Sequence, residues 1–218
     1  MLRLLFSKTG NAVWISHLDT MRVFQRSFKR SGLLLTHTQG FNPRPSVSIA
    51  LPLSVGVESQ CELLDFQLDH QQISCDEIME RLNQHLIDGI QVLGVYEDGR
   101  KLKELSLLKC VISLEYDNGT PPNAVHEIRD LFNREMLIVE KKGKNGIVQQ
   151  DIISLIKRLD VKNNENTVQL EAVICCQNPS LNPSQITAAI EKYIPHVKSD
   201  FVQYRRIELY DQNEIVFR

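Results

Sequence analysis

The chain has 218 residues, 42% hydrophobic and 24% charged, with a net charge of −2. That is enough apolar material for one large core or two of about 100 residues each, and no apolar run nears the roughly 20 residues a membrane span needs. The five cysteines (Cys61, Cys75, Cys110, Cys175, Cys176) are odd in number and scattered, without a CxxC pair, which reads as reduced thiols in a cytoplasmic protein. There is no P-loop and no Gly-x-Gly-x-x-Gly run, so a metal or nucleotide enzyme is disfavoured and no cofactor is called for.

In chain order, residues 1–8 are too short for a signal peptide and open a strand at 2–6. A helix follows at 17–31, strands at 47–53 and 62–68, a helix at 75–86 capped by Ser74 and Asp76, and a strand at 90–96. The charged stretch 98–106, preceded by Glu97 and containing Gly99, breaks the periodicity and reads as a linker. Beyond it come a strand at 107–116, a helix running to 133 from Thr120-Pro121-Pro122, and strands at 136–141 and 168–175, with 144–160 left open. Asn182-Pro183-Ser184 announces a helix at 183–194, and 201–210 is the last strand. Each half thus reads βαββαβ. The expected fold class is α+β with two tandem ferredoxin-like halves: a basic N-terminal domain 1–97, a linker 98–106 and a C-terminal domain 107–218. No residue-level repeat joins the halves.

Charge is segregated. Residues 1–50 hold seven cations (Arg3, Lys8, Arg22, Arg26, Lys29, Arg30, Arg44) against Asp19 alone, a balance of +6, so residues 51–218 carry −8. Segregation of this kind marks a face for a phosphate or polyanion. On a helical wheel of 17–31, Leu18, Met21, Phe24 and Phe28 fall on one side and Arg22, Arg26, Lys29 and Arg30 on another. Ser16 is the expected N-cap. Asp19 favours the helix start and is placed to orient Arg22. An ordinary surface helix interleaves acids among its bases; this one does so only at Asp19, and arginine suits forked contacts with phosphate.

His17, at the helix start, is more often a structural hydrogen-bonder than a catalyst. With His37 it is a candidate acid–base pair for RNA cleavage. His70, His85, His126 and His196 are dispersed. In Gln39-Gly40-Phe41-Asn42-Pro43-Arg44-Pro45, Gly40 permits a turn, Asn42 is pushed extended by Pro43, and the prolines stiffen the exit. Phe41 is then either displayed for base stacking beside a phosphate-gripping Arg44, or tucked into the core. Gly56, Glu58, Glu62 and Asp65 read as a turn and the exposed face of a strand.

These residues resemble the bacterial radical SAM-linked domain family. The resemblance is carried by Phe6-x-Lys8-x-Gly10, Ile15-Ser16-His17-Leu18-Asp19-x-x-Arg22, Gly40-Phe41-Asn42-Pro43-x-Pro45, Ser48-x-Ala50-x-Pro52-Leu53-x-Val55-Gly56, Glu62 and Asp65. It is specific over residues 1–70 and looser beyond. It implies a cytoplasmic accessory of a B12-binding radical SAM protein, acting on RNA or the translation machinery, and it assigns no catalytic residue. The chain lacks cluster-binding cysteines, so radical chemistry would belong to the partner.

The reading that follows is a non-catalytic accessory that binds or presents tRNA or rRNA. Lys8, Arg22, Arg26, Lys29, Arg30 and Arg44 would hold phosphate and Phe41 would stack, while Ser16, Asp19, Gly40, Asn42 and Pro43 shape the motif; no metal and no membrane are involved. One alternative is a protein-docking module for the radical SAM subunit that touches no RNA. Another is a metal-independent endoribonuclease of Cas6-like architecture, against which residues 147–218 contain no glycine for the loop that class uses.

Overall fold

Leu4 and Phe6 alternate with Arg3 and Leu5 along β1 (Leu2–Lys8), so the strand buries one row beneath helices. The computed structural model describes residues 1–69, 72–143 and 146–218 and divides into two compact units, Met1–Glu104 with Phe217–Arg218, and Leu105–Val216.

In unit 1, β1 is followed by a 3-10 turn (Gly10–Trp14), α1 (His17–Arg30), β2 (Val47–Ile49), β3 (Val57–Phe66), α2 (Cys75–Asn83) and β4 (Ile90–Tyr96). The strands lie in the order β4-β1-β3-β2, each neighbour antiparallel, which is the ferredoxin-like arrangement. Phe24 and Phe28 of α1 and Ile78 and Leu82 of α2 pack on Leu4, Phe6, Leu64, Phe66, Ile90 and Val92. Phe24 meets Phe6 edge-on at 4.7 Å, and Phe28 meets Phe66 at 5.0 Å.

Local chemistry fixes the ends of α1. Ser16 accepts from the Asp19 backbone N–H (3.2 Å) at the start. At the finish Gly32, at φ +73, lets Leu33 N–H reach Phe28 O (3.0 Å) and Gly32 N–H reach Lys29 O (3.3 Å), a Schellman closure. The expectation that α2 runs to residue 86 is corrected. It ends at Asn83, whose side chain turns away to bond both backbone groups of Val92 (3.0 and 2.8 Å).

Unit 2 contains β5 (Leu105–Glu115), α3 (Ala124–Phe132), β6 (Ile138–Gly143), β7 (Gly146–Asp151), β8 (Ile156–Asn164), β9 (Thr167–Cys175), α4 (Pro183–Tyr193) and β10 (Phe201–Asp211). Its order β10-β5-β9-β8 repeats the first unit's pattern. The strand expected at 136–141 does not enter this sheet. It pairs with β7 as a separate two-stranded hairpin between α3 and β8, and β8, from the stretch left open, takes the vacant place; Lys144 and Asn145, like His70, lie outside the described residues. The polar run Lys157-Arg158-Leu159-Asp160-Val161-Lys162 hides a strand because β8 is an edge strand, where charge discourages further pairing. The start of α3 moves from 120 to Ala124, because Asn123 before it stands in the left-handed region at φ +61, outside a right-handed helix. At α4 the Asn182 cap, Pro183 in the first turn and the reciprocal Gln185 bond form a complete capping box.

Candidate nucleic-acid interface

Two groups of motif residues sit at opposite ends of unit 1. At the end where α1 begins, Phe6, Lys8, His17, Thr20, Ile49, Leu53 and Glu62 surround a cavity of about 10 Å³, room for one water. Lys8 is 1% exposed, its ammonium donating to Ile15 O (2.6 Å) and Val13 O (3.5 Å). Burial pushes that ammonium below the ordinary lysine value, with the Glu62 carboxylate pulling the other way. Glu62 is itself buried and accepts from the Ser59 hydroxyl (2.7 Å).

Two expectations are corrected here. Lys8 is not on the surface to hold phosphate; it is an internal clamp holding the 3-10 turn to β1. Glu62 and Asp65 do not line an exposed face either. Asp65 takes a forked bond from Arg3 (2.6 and 2.9 Å), and Arg3 also donates to Arg100 O (2.7 Å) and lies over the Phe217 ring at 5.3 Å. Arg3 and Lys8 therefore leave the basic surface, and five cations of residues 1–50 remain on it.

Those five lie on α1 and the loop after it. Arg22, Arg26, Lys29 and Arg30 are all exposed, and positions 22, 26 and 29 recur at helical spacing on one side. Arg22 bonds Asp19 (2.7 Å), and the Ser16 hydroxyl donates to the other Asp19 oxygen (2.7 Å). The Ser16 hydroxyl, then Arg22, hold the Asp19 carboxyl below its usual range. Arg30 donates to His85 O (2.7 Å), which the Ser27 hydroxyl shares (3.0 Å), tying α1 to the turn after α2. Arg26 adds a weaker electrostatic pull on Asp19, and neither Arg26 nor Lys29 has a side-chain hydrogen bond or ion pair among the described residues.

At the end where α1 finishes, Leu35 bridges Leu68 and His37 bridges Pro45. Thr38 N–H donates to Arg44 O (2.8 Å), and Arg44 N–H to the Thr38 hydroxyl (3.0 Å). This stem projects Gly40, Phe41, Asn42 and Pro43, with Gly40 at φ +134. Phe41 is 106% exposed, so of its two expected fates the structure has the displayed one. Because His17 lines the cavity at one end of the unit and His37 stands in the stem at the other, they do not form an acid–base pair.

Sequence reasoning passed over Trp14, the chain's one tryptophan. It is 67% exposed, and its ring lies 3.4 Å from where a Cβ on Gly56 would sit. A single aromatic before a helix carries no periodic signal that would separate it from core.

Other sources of chemistry are weak. Burial pushes the Cys110 and Cys176 thiols up to about 12, away from thiolate character at neutral pH. Among the described residues no three His, Cys, Asp or Glu side chains are grouped to hold a metal, and no helix is long and apolar enough to cross a membrane. A cleft of about 340 Å³ between α3 and β8 includes Arg129, Lys157 and Arg158. Arg129 is already on Val161 O (2.5 Å) and Arg158 on Glu214 (2.6 Å).

Residues 1–183 match the profile of the family described as "Uncharacterized protein conserved in bacteria (DUF2344)", and the chain belongs to that family. No curated protein matches the sequence. In structure the chain is similar to one chain of a Cbf5-Nop10-Gar1 complex, with a TM-score of 0.50 and 9% identity, over 95% of this chain and 48% of that one. It thus spans about half the length of that protein, and at this identity the likeness speaks for the α+β fold alone. An unknown protein from Galdieria sulphuraria aligns over 94% of this chain and 96% of its own at 8% identity, but its TM-score of 0.27 carries no argument.

Proposed function

We propose that this protein is a non-catalytic, cytoplasmic accessory of a radical SAM enzyme and binds or presents RNA on α1 and the 38–44 loop. The observation that carries the reading is the α1 surface: exposed Arg22, Arg26, Lys29 and Arg30 with Asp19 as the helix's single acid. Arg22, Arg26 and Lys29 hold the phosphate backbone, Arg44 adds a contact from the loop, and Phe41 stacks on a base. The radical SAM partner comes from the family resemblance of residues 1–70, and that partner would supply the chemistry.

The test is crosslinking and recovery of RNA from cells with wild type and an Arg22/Arg26/Lys29→Glu variant. Enrichment of one tRNA or rRNA species, lost in the variant, supports the reading and names the substrate. Recovery of a radical SAM protein that resists nuclease, with no RNA, overturns RNA binding in favour of a docking subunit.

A further inference from the structure

We infer that the RNA held by α1 is single-stranded and that Trp14 is a second base-stacking platform, at the far end of the helix from Phe41. The inference rests on the RNA reading above and specifies the form of its substrate. Trp14 closes the 3-10 turn three residues before α1. Phe41 tops the loop rooted beyond Phe66, the residue on which Phe28 in the last turns of α1 packs. The segments that carry the two rings flank the 14 residues of α1, about 21 Å of helix. Arg22, Arg26 and Lys29 occupy the interval.

Neither ring is exposed for want of a place to bury it loosely. The Trp14 ring lies beside Gly56, whose N–H bonds Val13 O (2.9 Å) and fixes the 54–57 turn against the 3-10 turn. Gly56 stands at φ +82, so the turn favours glycine there. Phe41 is held out by the Thr38–Arg44 stem. Both rings are thus positioned, and both leave aromatic surface open to solvent.

A basic stripe alone would serve duplex or single strand. Stacking platforms at both ends serve only the latter, because the bases of a duplex are already stacked on one another and offer no free face. The same open surface with Leu18, 67% exposed in the first turn of α1, would also suit an apolar protein contact. The cations further along the helix, Arg22, Arg26 and Lys29, with Asp19 its single acid, favour the polyanion.

Because Trp14 is the sole indole, its fluorescence reports this site directly. The full chain is titrated with oligouridylate and oligoadenylate of about 12 nucleotides and with an RNA duplex of equal length, while the anisotropy of a labelled strand follows binding independently. The expected result is quenching that saturates with the anisotropy curve, and duplex binding at least roughly tenfold weaker. Trp14→Ala and Phe41→Ala should each weaken single-strand binding by roughly tenfold, and Trp14→Phe should restore most of it. Binding without quenching, or unaffected by Trp14→Ala, removes Trp14 from the site. Duplex bound as tightly as single strand overturns the single-strand inference and leaves the RNA reading intact. Binding of neither overturns that reading itself and leaves Trp14 and Leu18 to a protein partner.

Discussion

In unit 2, Lys109 and Lys162 both approach Glu171 (3.5 and 3.7 Å), Lys162 also meets Asp160 (3.1 Å), Arg158 meets Glu214 (2.6 Å) and Lys198 meets Glu191 (3.6 Å). In unit 1, Arg26 and Lys29 are exposed on α1 with no ion pair among the described residues, while Arg3 and Lys8 are buried and satisfied inside. The strand order is the same in both. One copy of the fold keeps its surface charges mixed and mutually screened. In the other, two of the seven cations of residues 1–50 move into the interior and the remaining five lie on α1 and the loop after it, while Arg81 and Arg100 elsewhere in the unit keep Glu77 and Glu104 as partners. The contrast teaches that the +6 of residues 1–50 is two separate facts, an internal clamp and an external stripe, which composition sums together.

The comparison breaks first in the interior. Lys8→Met leaves the Ile15 and Val13 carbonyls without their donor. Urea unfolding should show a loss of about 3 kcal/mol, the order of cost of leaving buried polar groups unsatisfied. Lys162→Met in unit 2, on an open surface, should leave the midpoint where it was. The pH dependence has a definite sign. The folded chain holds the Lys8 proton less tightly than the unfolded chain, whose lysine titrates near 10.5. Between the lowered value and 10.5 the unfolded state binds more protons, so stability from this residue rises with pH. Wild type minus Lys8→Met should show that rise in unfolding midpoints taken from pH 7 to 10.

Phe217 is fully buried beneath two guanidinium groups, whereas Ile215, two residues earlier, is 60% exposed. Phe217→Ala should destabilise by about 3–5 kcal/mol and Ile215→Ala should be neutral, by thermal or urea unfolding. An equal effect of the two would mean that Phe217 is not packed as described.

On the surface, the contrast sharpens through salt. Each phosphate contact with a single strand contributes about 0.7 to the slope of log affinity against log salt, so three α1 contacts give about 2. Arg26→Ala should lower that slope by about 0.7, and Arg158→Ala in unit 2 should not change it. The smallest effect is expected at the cap: Ser16→Ala should cost about 1 kcal/mol and shift the thermal midpoint by a few degrees.

The βαββαβ order was legible because its signals are local. Ser16 and Asp19 announce α1, Asn182-Pro183-Ser184 announces α4, and alternation marks β1, β5 and β9. The same local reading placed Phe41 on a projecting loop as one of two outcomes. It failed where the deciding partner lies far along the chain. Lys8 looks like any strand-end lysine until Glu62 and the Ile15 carbonyl are folded onto it, and Arg3 until Asp65 and Arg100 are. β8 stayed hidden because an edge strand wears the polar pattern of a loop. The strand expected at 136–141 was misplaced because a strand's sequence does not say which sheet it joins.

The last two residues, Phe217 and Arg218, belong with unit 1 although unit 2 precedes them in the chain. Arg3 and Arg100 close over the Phe217 ring, each at 5.3 Å, and Arg100 N–H bonds Arg218 O (3.0 Å). During translation unit 1 is consequently finished only after unit 2 has been made. Its ring slot stays open until residue 217 clears the ribosome, and a nascent chain halted short of that point would expose the apolar slot and the two guanidinium groups to chaperones and proteases. The order of synthesis thereby ties the last packing step of unit 1 to a chain that has been read through unit 2.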